Sequence, residues 1–99
     1  MIDVIKETET GELIDRWEGD VRLFYEKSIR DKKKYPWLST LDYYGPTLFN
    51  YLQIPNLIKE LEQLKNEAGL PEKVKSEIEK FITYAKQLEY GDLLRFIGD

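Results

Sequence analysis

The chain has 99 residues, 41% of them hydrophobic and 13% aromatic, carries a net charge of −4, and contains neither cysteine nor histidine. That is enough apolar area for one small core, so a single domain over residues 1–99 is expected rather than a disordered chain. The two missing residue types exclude disulfides, thiolate nucleophiles, the common zinc ligands and an imidazole general base, and the acidic balance opposes a general nucleic-acid binder.

Charges interrupt every hydrophobic run well short of the roughly 18 apolar residues that a membrane span needs. "MIDVIKETET" has no basic region followed by a continuous apolar one, so no signal peptide is read and a cytoplasmic location with no membrane partner is expected. Residues 2–5 and 13–17 are short β-branched or aromatic runs separated by "KETETGEL", whose glycine suits a turn with positive φ. They predict a β-hairpin with Ile2 and Val4 on one face and Leu13 and Trp17 on one face, Asp15 lying between those two. Asp20 suits the N-cap of a helix running to about Asp31, in which Val21, Phe24, Tyr25, Ser28 and Ile29 repeat at helical spacing.

Residues 35–54 lack a clean period and hold Pro36, Gly45 and Pro46. Turns are expected there, with one short helical turn around Thr47 to Leu52 and with Leu41, Leu48, Phe49 and Leu52 inward. Pro55 opens a helix with the apolar stripe Leu57, Ile58, Leu61, Leu64 and Ala68, stopped by Gly69. Pro71 opens another, with Val74, Ile78, Phe81, Ile82, Ala85 and Leu88 facing inward, and the short link makes the two an antiparallel helical hairpin. After Gly91, "LLRFI" reads as a terminal strand with Leu94 and Phe96 on one face. The fold class is α+β: a small antiparallel sheet, made of the N-terminal hairpin and the C-terminal strand, packed against helices that include the antiparallel pair.

Where chemistry could reside is narrow. "KSIRDKKKYPWL", residues 27–38, sets five cations against Asp31 and follows Lys32, Lys33 and Lys34 with Tyr35 and Trp37. Such a strip could track phosphates and stack bases, but it equally suits a solvated helix C-terminus followed by anchoring rings. Asp42 lies in the least charged region, and a carboxylate buried there could act as an acid, although a loop Asp more often bonds its own backbone. "ETETGE" lacks the spacing of a calcium loop and the glycines form no phosphate loop, so no metal site and no cofactor are expected. "LDYYGPTLFNYLQ", residues 41–53, mixes rigid rings with adaptable hydrogen-bonding groups, a composition typical of interfaces as well as of packed joints.

Tyr44-Gly45-x-Thr47-x-Phe49-Asn50, then Gln53 and Pro55 opening a Leu/Glu-rich helix, and the ending Arg95-Phe96-Ile97-Gly98-Asp99 together resemble a group of short bacterial proteins of unassigned function. The resemblance spans nearly the whole chain and implies a bacterial, single-domain, cytoplasmic protein, with no site residue to carry over.

The leading expectation is a small non-enzymatic module that binds another protein through Trp37, Asp42, Tyr43, Tyr44, Asn50 and Tyr51. Alternatives are an inhibitor or immunity-type protein for a toxin, a small enzyme with a carboxylate or tyrosine acid-base site near Asp42, and a weak nucleic-acid binder through residues 27–37. A homo-oligomer through an exposed sheet edge is a further option, unless Lys6, Glu7 and Glu12 protect that edge with charge.

Overall fold

The computed structural model describes residues 3–17, 19, 33–41 and 45–98, and the expected helix over residues 20–31 lies outside them. Strands β1 (Asp3–Glu7), β2 (Leu13–Arg16), β3 (Pro46–Asn50) and β4 (Leu93–Ile97) form one antiparallel sheet in the order β2-β1-β4-β3. Helices α1 (Ile54–Lys65) and α2 (Glu72–Lys86) pack as a pair between β3 and β4 in sequence, and a short 3-10 turn occupies Leu38–Thr40. The architecture is α+β, as the sequence pattern indicates, but with one strand more than expected.

The hairpin forms where the pattern places it. Thr8 N–H donates to the Glu12 carbonyl at 2.8 Å and Gly11 N–H to the Thr8 carbonyl at 2.9 Å. Gly11 stands at φ +88°, the conformation that closes a three-residue hairpin loop and that a side chain would oppose. Strand β4 alternates as read: Leu94 and Phe96 are buried, while Leu93, Arg95 and Ile97 point to the other face.

The terminal strand finds partners on both sides. Phe96 lies opposite Val4 of β1 and Thr47 of β3, and Leu94 opposite Lys6 and Phe49. The segment expected to form a helical turn over Thr47–Leu52 is therefore mostly an edge strand. Pro46 begins it, where the missing N–H leaves no gap in the ladder interior. Strand alternation then sends Phe49 inward and Leu48 outward, so Leu48 is 46% exposed instead of buried.

A central position for β1 also overturns the idea that Lys6 and Glu7 guard a sheet edge, since both are buried. Lys6 is only 4% exposed, with its ammonium 4.0 Å from the Asp15 carboxylate and 4.5 Å from the centre of the Tyr84 ring. On the opposite face of β1, Glu7 pairs with Arg95 of β4. Each buried charge thus has an opposite charge on a neighbouring strand, which is the condition for tolerating it.

Both helices present the predicted stripes. Leu57, Leu61 and Leu64 of α1 and Val74, Ile78, Phe81, Ile82 and Ala85 of α2 are buried against the inner face of the sheet. Ring contacts knit the layers: Trp17 lies edge-on to Phe81 at 5.0 Å, and Phe96 meets Phe49 and Phe81 at 5.6 Å each. Lys65–Glu79 and Lys86–Glu62 ion pairs join α1 and α2 in antiparallel register. The helix bounds differ slightly from expectation. Pro71 is the N-cap rather than the first helical residue, and α1 ends before Ala68, which is exposed.

Candidate binding surfaces

Two hollows flank helix α1, and the residues between β3 and α1 decide the shape of the first. Asn50 Oδ1 accepts from the N–H groups of Leu52 and Gln53 at 3.0 Å each, while Gln53 Oε1 accepts in return from Asn50 N–H at 2.9 Å. This reciprocal pair turns the chain sharply from strand to helix by satisfying the N–H groups of Asn50, Leu52 and Gln53 just ahead of α1. An N-x-x-Q stretch ahead of a Pro-opened helix is its sequence signal.

The sharp turn carries Tyr51 and Leu52 toward solvent. Leu52, expected inward, is 68% exposed, because the capping turn over residues 51–53 continues neither the strand alternation nor the helical stripe. Tyr51 meets Tyr90 with ring centroids 4.5 Å apart, and Tyr90 is itself 86% exposed. A hydrogen bond with Tyr90 raises the Tyr51 hydroxyl pKa above its ordinary value, with smaller contributions from burial and from the charges of Tyr90 and Glu9.

Beside this pair runs an apolar groove of about 370 Å³ between the start of α1 and the end of α2, lined by Tyr51, Ile54, Pro55, Ile58, Ala85, Lys86 and Leu88. Gly91, at φ +88°, turns the chain away after Tyr90 and leaves that ring at the rim.

The second hollow is polar. Residues 33–38 are fastened by two carboxylates, Glu60 within α1 and Glu67 just past its C-terminal end. Glu60 accepts from the N–H groups of Trp37 and Leu38, and Glu67 accepts from the Tyr35 hydroxyl at 2.7 Å and the Lys34 ammonium at 2.9 Å. A pocket of about 310 Å³ lies along this seam, lined by Lys33, Lys34, Pro36, Trp37, Asn56, Lys59, Glu60 and Gln63. Trp37 is half-buried, with its ring 6.5 Å from that of Phe49.

The structure thus divides the contact region anticipated from sequence. Tyr51 borders the apolar groove, whereas Trp37 lines the polar pocket with Lys33 and Lys34, and the two hollows share no lining residue among the described residues. Asn50 spends its side-chain oxygen on the reciprocal pair. Asp42, Tyr43, Tyr44 and Lys32 lie outside the described residues. Tyr90, Glu60 and Glu67 were not singled out from the sequence, and Leu52 was read as inward. Their roles depend on neighbours distant in sequence.

Tyr84 is a strongly displaced titratable group. Burial, reinforced by its hydrogen bond to Asp15 Oδ1 at 2.7 Å and by the Asp15 charge, holds its hydroxyl well above the ordinary tyrosine range. Such a group keeps its proton near neutrality and is a poor acid-base catalyst there. Among the described residues no three Asp or Glu side chains converge as a metal site, and no helix is long and apolar enough to cross a membrane. Comparison with family models, with curated proteins and with solved structures finds no match to this chain.

Proposed function

We propose that this chain is a small non-enzymatic protein-binding module whose contact surface is the apolar groove between α1 and α2, rimmed by Tyr51, Leu52 and Tyr90. The observation that carries the reading is an apolar groove lined by Tyr51, whose ring packs against the 86% exposed Tyr90, with the 68% exposed Leu52 next to Tyr51 in the chain. Large side chains held this far out by a capping turn add nothing to the core, and aromatic anchors at a groove are the groups that dominate interface energies. A cysteine-free chain suits work in the reducing cytoplasm.

A photo-crosslinking amino acid placed at position 90, with Lys73 on α2 as the control position, tests this in cells. A discrete adduct from position 90 that is absent from position 73 and disappears when Leu52→Asp is added is the expected result. Leu52→Asp leaves folding stability within about 0.5 kcal/mol, since the position is exposed. Equal adducts from both positions, or none from position 90, would contradict the proposal.

A further inference from the structure

The polar pocket beside Trp37 has a donor set unlike any other surface described here. Six of the nine described lysines are ion-paired with carboxylates, namely Lys6, Lys34, Lys65, Lys75, Lys80 and Lys86. Lys33, Lys59 and Lys73 have no such partner among the described residues, and the first two line this one pocket. Asn56 and Gln63 stand one turn before and one turn after Lys59 on the same face of α1, adding two amide groups.

The one carboxylate among the described lining residues is already committed. Glu60 turns its oxygens to the Trp37 and Leu38 N–H groups, and Lys34 is held by Glu67. What remains open to a ligand is therefore two free ammonium groups and two amides beside the half-buried Trp37 ring. The clamping of residues 33–38 onto α1 shapes this hollow before any ligand arrives, so little ordering cost is left for binding.

From this arrangement we infer that the pocket binds a small phosphate ester, with its phosphoryl oxygens between Lys33 and Lys59 and the rest of the ligand against Trp37. Lysine binds phosphate as a point charge and needs no bidentate fork, which fits a pocket whose described lining holds lysines and no arginine. A volume of about 310 Å³ matches a small molecule. A polyanionic strand would meet an acidic chain of net charge −4, so the small ligand is favoured over nucleic acid.

Amide NMR titrations of the whole chain at constant ionic strength test the inference, using adenosine monophosphate, inorganic phosphate, adenosine and a twelve-residue oligo-dT. Adenosine monophosphate is expected to give saturable shifts at Lys33, Trp37, Asn56 and Lys59, and adenosine none. Inorganic phosphate is expected to act on the same residues more weakly, and inorganic phosphate binding equally well would overturn the contact of the ester with Trp37. Lys33→Ala and Lys59→Ala each weaken adenosine monophosphate binding about tenfold, the loss of one charge-assisted hydrogen bond. Lys73→Ala leaves it unchanged. All three lysines are exposed, so the variants keep the fold. Absence of saturable shifts, adenosine binding as well as its phosphate, an equal loss from Lys73→Ala, or tighter and steeply salt-dependent binding of oligo-dT would each overturn the inference.

Discussion

The Glu60 carboxylate straddles the amide of Trp37: both oxygens lie 3.0 Å from that nitrogen, and one of them also accepts from Leu38 N–H at 2.9 Å. The 3-10 turn that follows has no acceptor on its own N-cap side chain, so a helix residue 23 positions later in sequence supplies one. Glu60 is 6% exposed and Leu38 is fully buried, which places these bonds away from competing water. This contact docks the loop before β3 onto α1 and shapes the polar pocket.

Glu60→Ala leaves two N–H groups near the core without an acceptor and is expected to cost about 2–4 kcal/mol. For a domain of this size that lowers the midpoint of thermal unfolding by roughly 10–20 °C. Glu60→Gln keeps one acceptor oxygen and loses about half as much. Circular dichroism melts of the two variants decide the matter, and an Ala variant that melts like the parent would remove Glu60 from this role.

Asn50 and Gln53 form a reciprocal pair and their substitutions are expected to couple. Asn50→Ala costs about 1 kcal/mol, whereas Asn50→Asp, which retains the acceptor, stays within about 0.5 kcal/mol. Removing both side chains costs less than the sum of the single changes, because each single variant already breaks the box. Urea unfolding of the four chains measures this coupling, with strict additivity as the contrary result.

Tyr84 links stability to alkaline pH. Its pKa is raised from 10.0 in the native state, so the folded chain retains a proton that the unfolded chain releases first. The corresponding stability is fully present below about pH 10, the unfolded tyrosine value, and is lost as pH rises toward the higher native value. Tyr84→Phe removes this dependence. Its stability should fall less steeply than the parent's between neutrality and pH 11, although it starts about 1 kcal/mol lower for want of the hydrogen bond to Asp15. Parallel urea titrations at several pH values test the difference in slope.

Both hollows owe their form to side chains that do structural work next door. The box at Asn50 and Gln53 throws Tyr51 and Leu52 outward beside the apolar groove, and the carboxylates of Glu60 and Glu67 hold Trp37 and Lys34 along the polar pocket. Loss of Glu60 is therefore expected to disturb the lysine pocket while sparing the Tyr51–Tyr90 contact. That separation distinguishes the two surfaces experimentally.

Local pattern alone was sufficient for the helices and for β4. Leu57, Leu61, Leu64, Ile78, Phe81 and Ala85 recur at helical spacing, and Leu94 and Phe96 alternate, because burying one face demands these periods wherever the partner lies. Strand β3 was not legible. Thr47-Leu48-Phe49-Asn50 has no hydrophobic alternation, and what makes it a strand is the ladder offered by β4, more than 40 residues away in sequence. The same distance hid the burial of Lys6 and Glu7, whose partners include Tyr84 and Arg95 at the far end of the chain. Periodicity dictates which faces are apolar, whereas packing between distant segments selects which charges are buried and which rings stay exposed, because those outcomes depend on partners that no local window contains.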